Sequence, residues 1–187
     1  MSSTSDVETE LVESTLTHER VLALLATHDA TFGTLVHAPT LTSDQSARVR
    51  GVPLASGAKA MLLRSPKPLA HGGHYVLAVM SAACGVDWRA LRNAVGTKQL
   101  ALATVDDVRR ITGCLPGAVP PFGSLWRNDG VTTFVDDSLV NQGTTINFNA
   151  GLRTHSVLGL SVADYMRIEG GPPVAHFTSP APPPVLA

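Results

Sequence analysis

Thr42 with Gln45, Thr104 with Asp107 and Ser161 with Asp164 each set a hydroxyl residue three positions before a residue suited to a first helical turn. That spacing opens helices, because the hydroxyl accepts from an amide the helix leaves unpaired. It predicts helices over 43–50, stopped by Gly51, over 105–112, ended by Gly113, and a last one ending near Glu169. Between these starts lie apolar runs short enough for strands, at 132–135, 145–148 and 155–160. The runs 60–63 and 74–80, joined by a Pro- and Gly-containing segment, predict an antiparallel pair. Short strands are further expected at 33–37 and 99–103, and a helix at 86–95 with Leu91 and Val95 inward. Strands and helices mix without regular alternation, which predicts an α+β domain with a mixed sheet rather than a doubly wound parallel one.

A chain of 187 residues, 44% hydrophobic and 16% charged, suits one domain with a substantial core. The expected organisation is a disordered leader over 1–13, a folded domain over 14–170 and a Pro-rich tail over 171–187 that can sustain no helix or inner strand. The first helix is expected from His18 to about Thr27, capped by Thr17 and stapled by Leu16 against Val21. No apolar stretch approaches the roughly 18 to 20 residues that cross a bilayer, which excludes a membrane-spanning role. The acidic, polar start lacks the pattern of a secretory signal, so a cytoplasmic protein is expected. Cys84 and Cys114 are too few for a disulfide framework and are expected to be small buried residues.

The net charge is −1, but it is unevenly spread. From Arg48 to Arg127, eleven basic residues against three acids give +8, with −6 before and −3 after. An electropositive middle can face a phosphate backbone, and it can equally be a solvated face; a protein gripping DNA along its whole surface is not expected.

Several chemistries lack their signatures. His71 and His74 offer two metal ligands and no third at a recognisable spacing. Gly-x-Ser-x-Gly, Gly-x-Gly-x-x-Gly and Walker patterns are absent. What remains is Lys59, at the edge of an apolar run, and the loop from Thr112 to Gly123. A lysine so placed either snorkels to water or enters a cavity, where its charge calls for an anion. The loop, stiffened by Pro120 and Pro121 and freed at Gly117 and Gly123, either connects two elements or presents backbone N–H groups to a carbonyl oxygen.

Lys59, then Gly117-x-x-x-Pro121-x-Gly123, then Asn147-Phe148-Asn149-Ala150-Gly151-Leu152-Arg153 resemble, in that order, the YbaK and prolyl-tRNA synthetase-associated editing domain family. The phrase from Leu102 to Val108 resembles it too, and the likeness spans about 18–169. The resemblance implies a central mixed, strongly curved sheet surrounded by helices, and hydrolysis of the ester joining a wrong amino acid to tRNA, without metal or organic cofactor. It puts Lys59, Gly117 and Asn149 in catalysis and Ala118, Pro121, Phe122, Gly123, Gly151 and Arg153 at the substrate. Phe122 is expected to wall the amino-acid pocket, stack on the terminal base or belong to the core. Arg48, Arg50 and Arg64 are candidate tRNA contacts, and the implied partners are the acceptor end of a mischarged tRNA and prolyl-tRNA synthetase. Alanine-editing members carry His-Pro where Asn149 and Ala150 stand here, whereas Gly151 and Arg153 resemble members that remove cysteine. The expected substrates are therefore Cys-, Ala- or Ser-tRNA for proline. A non-catalytic module that binds aminoacyl-tRNA or a synthetase is the alternative.

Overall fold

The computed structural model describes residues 4–141 and 143–180. Its elements run α1 (Thr4–Thr27), β1 (Gly33–Val36), α2 (Ser43–Arg50), β2 (Ala58–Arg64), β3 (Tyr75–Ser81), β4 (Cys84–Val86), α3 (Trp88–Val95), β5 (Ala101–Leu102) and α4 (Val105–Thr112). They continue with β6 (Val131–Asp136), α5 (Asp137–Asn141), β7 (Thr145–Asn149), β8 (His155–Ser161), α6 (Val162–Ile168), β9 (Val174–Ala175) and β10 (Thr178–Pro180).

Five strands form the central sheet in the order β5-β2-β3-β6-β9. β2 runs antiparallel to β3 and β5, while β6 runs parallel to β3 and β9, so the sheet is mixed and the domain α+β as expected. β3 is buried along its whole length, since both faces of the sheet are covered. Tyr75, Leu77 and Val79 face a core shared with α1, α4, α6 and strands β7 and β8 of the antiparallel sheet β1-β8-β7. Val76, Ala78 and Met80 face a smaller core with Leu91 and Val95 of α3 and with Phe177. The two sheets meet where Gly57 bridges Asn147, whose side chain bonds the Ser56 hydroxyl at 2.8 Å.

The hydroxyl signals hold at three helices. Thr42 and Gln45 form a complete capping box on α2, Thr104 accepts from the Asp107 amide, and Ser161 from the Asp164 amide. Elsewhere the boundaries move. α1 opens at Thr4, taking in most of the segment expected to be disordered; residues 4–13 hold no Gly or Pro to interrupt a helix. Thr17 therefore lies inside the helix, and its hydroxyl donates to the Thr112 carbonyl at 2.7 Å, tying α1 to the end of α4 instead of capping. Leu16 is exposed and staples nothing. α3 starts at Trp88 because Asp87 is its cap, which frees Cys84–Val86 to be a strand.

The segment expected to hold no helix or inner strand supplies two short edge strands. β9 pairs with β6 at the sheet edge, and β10 pairs with β4, Thr178 opposite Val86 and Pro180 opposite Cys84. The buried Asp136 carboxylate anchors this segment, accepting from the Phe177 amide at 2.6 Å and the Thr178 hydroxyl at 2.8 Å. Residues 181–187 of the expected tail lie outside the described residues. Among the described residues, no helix is long and apolar enough to cross a membrane.

Candidate active site

β5 pairs only with Leu63 and Arg64, so the first half of β2 has no strand on that side. A cavity of about 320 Å³ lies there, between β2, α2 and the loop carrying Gly117. Arg50, Lys59, Gly117, Val119 and Asn149 line it together with the hydroxyl residues Thr40 and Ser46. The Lys59, Gly117 and Asn149 expected in catalysis thus share one cavity.

The loop is held by its carbonyls. Arg153 donates from Nε and Nη2 to the Pro116 oxygen at 3.2 and 2.7 Å, Asn149 Nδ2 donates to the Gly117 oxygen at 2.8 Å, and the Gly151 amide donates to the Ala118 oxygen at 3.0 Å. In a trans peptide the N–H points opposite to the C=O, so fixing these oxygens also aims the amides of Gly117, Ala118 and Val119. The Ala118 amide turns back onto the Leu115 oxygen at 3.0 Å. Those of Gly117 and Val119 have no acceptor among the described residues, and these two residues are the ones that line the cavity. Gly117 has φ +87°, which glycine alone adopts without strain.

The third sequence motif is therefore the clamp on the second. It is itself packed from behind: His18 Nδ1 donates to the Ala150 oxygen at 2.7 Å, and Gly151, at φ +87°, lies so close to α1 that a Cβ would sit 2.8 Å from the His18 nitrogen.

Two cations face the same space. Lys59 donates from Nζ to the Cys84 carbonyl at 2.7 Å, and burial lowers its pKa from the ordinary lysine value. Arg50 is half-buried, donating from Nη2 to Asn149 Oδ1 at 2.6 Å and from Nε to Ser156 Oγ at 2.8 Å; burial pulls its pKa down to about 10. Among the described residues no carboxylate pairs with either, and none of the residues lining the cavity is acidic. Two desolvated positive charges without a counter-ion make the cavity a place where an anion is stabilised.

The other predicted residues lie elsewhere. Phe122 is fully buried, edge-on to Phe148 and Tyr165, so it is a core residue and does not line this cavity. Ala118 is buried with it. Pro121 gives its carbonyl to the Tyr165 hydroxyl at 3.0 Å, and Gly123 is packed so tightly that a Cβ would meet the Thr133 hydroxyl. These four shape the loop from behind rather than line the cavity. Gly151 and Arg153 brace it from the side. Arg64 stands at the far end of β2, about 17 Å along the strand from Lys59, beside Asp107 at 3.5 Å. Arg48 is exposed on α2, while Arg50 turns inward.

The sequence reading missed Thr40, Ser46 and Ser156. Ser46 lies four residues before Arg50, on the same helix face, so the α2 capping signal with its helical phase was enough to pair them.

A profile of the aminoacyl-tRNA editing domain matches residues 37–168. The chain is 33% identical over 161 residues to the multifunctional Ser/Thr-tRNA deacylase ProXp-y of Escherichia coli (strain K12), covering 86% of this chain and 92% of that protein. In fold it matches the crystal structure of a candidate trans-editing enzyme for prolyl tRNA synthetase, with TM-score 0.70 and 20% identity over 87% of this chain and 97% of that one.

Proposed function

The chain belongs to the aminoacyl-tRNA editing domain family, and from that premise we propose that it is a hydrolase that removes small, hydroxyl-bearing amino acids from mischarged tRNA in trans. The observation that carries this is the acid-free cavity that Lys59 and Arg50 line together with Gly117 and Val119, whose amides have no acceptor among the described residues.

An aminoacyl ester is already activated, so the site has to place a nucleophile and stabilise the oxyanion. The Gly117 and Val119 amides supply donors for the carbonyl oxygen. Lys59 holds the terminal phosphate or ribose, within a field to which Arg50 adds. Among the described residues no histidine or carboxylate lines the cavity to activate a protein nucleophile. Water assisted by the ribose 2′-hydroxyl is the attacking group, or the substrate's own thiol where cysteine is the residue removed. The cavity wall carries the Thr40 and Ser46 hydroxyls, both buried, which favours Ser and Thr over Ala as the preferred residue. The ester partner is the tRNA acceptor end, and prolyl-tRNA synthetase is the candidate source of the mischarged tRNA.

The deciding experiment is a deacylation panel of Ser-, Thr-, Ala- and Cys-charged tRNA with wild type and Lys59→Ala. Turnover by wild type that the substitution abolishes supports the reading. No turnover on any substrate would instead leave a module that binds aminoacyl-tRNA without hydrolysing it.

A further inference from the structure

We propose that Arg50 is a positioning residue for the Gly117 loop, acting through Asn149, rather than a contact for a tRNA phosphate. What the loop does in catalysis rests on the deacylase reading; how Arg50 holds it does not. An arginine has only donors, so Arg50 Nη2 at 2.6 Å obliges Asn149 to present its oxygen on that side. The amide nitrogen must then face the Gly117 carbonyl, which can only accept, at 2.8 Å. Turned the other way, Asn149 would set donor against donor and oxygen against oxygen. The second Arg50 bond, from Nε to Ser156 at 2.8 Å, fixes the plane of the fork, and His37 Nε2 bonds the same hydroxyl at 2.7 Å. The bonds from Arg50 therefore fix the register of the Gly117–Ala118 peptide, whose N–H closes the turn onto Leu115.

A guanidinium spent on two fixed neutral acceptors in a half-buried site serves geometry. A phosphate contact would leave its fork open to the ligand. Arg48, two residues away and exposed, shows how the same helix presents a cation to solvent.

Two variants test this. Arg50→Lys keeps the charge and loses the planar fork; Asn149→Asp keeps an acceptor for Arg50 but cannot donate to Gly117. Residue-resolved amide exchange on the free protein should show the Ala118 amide exchanging about tenfold faster or more in both, with β2 and β3 unchanged. On the best substrate of the panel, kcat should fall by about 10- to 100-fold with KM held within about twofold. Unchanged exchange at Ala118 in both variants overturns the proposal, as does a rise in KM with kcat kept, which would make Arg50 a phosphate contact. If wild type hydrolyses nothing, the deacylase reading fails while the Ala118 readout still decides the role of Arg50. If Arg50→Lys does not fold, Asn149→Asp breaks the same connection from its other end.

Discussion

The hydroxyls of Thr40 and Ser46 lie 2.8 Å apart at the cavity wall, and Thr40 also reaches the Arg153 carbonyl at 3.4 Å. If Thr40 donates to that carbonyl and Ser46 to Thr40, the Ser46 oxygen keeps lone pairs for a substrate hydroxyl. Pockets that bond a substrate hydroxyl discriminate far more sharply than those sensing one methylene. The double variant Thr40→Val with Ser46→Ala should lower kcat/KM for Ser-tRNA by about 10- to 100-fold and leave Ala-tRNA within about threefold. Equal losses on both substrates would exclude this pair as the reader of the side chain.

Burial lowers the Lys59 pKa, so its positive charge is lost at a lower pH than an ordinary lysine's as the solution is made alkaline. Binding of a non-hydrolysable acceptor-end mimic should weaken with rising pH below the usual lysine range, and Lys59→Arg should move that loss to higher pH. A flat profile in wild type would separate the ammonium from the bound anion.

Asp107 accepts from Arg110 and from the Tyr75 hydroxyl, each at 2.9 Å, and these bonds, Arg110 first, hold its pKa at about 2. Because the folded pKa is depressed, its contribution to stability is complete above the ordinary carboxylate range and is lost as pH falls through about 2. Melting temperature should drop on acidification through that window, and Asp107→Asn should lower it at neutral pH while flattening part of the acid slope.

Cys114 is fully buried, and burial pushes its thiol pKa up to about 11, whereas Cys84 is partly exposed. A thiol reagent at pH near 8 should modify Cys84 in the folded protein and reach Cys114 only after unfolding. Rapid modification of the folded Cys84→Ser variant would contradict the packing of α4 against α1.

Local signals in the sequence were sufficient where a side chain acts on its own backbone. The Thr42, Thr104 and Ser161 caps are of this kind, and the glycine stops at Gly51 and Gly113 and the pairing of the successive strands β2 and β3 are as local. Motif order also brought Lys59, Gly117 and Asn149 to one cavity. Less legible were features decided by phase or by distant partners. Arg48 and Arg50 differ by two helical positions, about 200° of rotation, so one points out and the other in. Phe122 lies within the loop in sequence, yet Phe148 and Tyr165 claim its ring. Strands as short as β4 and β10 carry no periodicity of their own, and only the pairing between them makes either a strand.

That last pairing reaches the chemistry. Lys59 hangs from the carbonyl of Cys84, Cys84 is laddered to Pro180, and Asp136 pins the segment that delivers Pro180. A fusion partner pulling on this end, or a protease trimming it back past Phe177, would act as a remote hand on one ammonium group some hundred and twenty positions upstream.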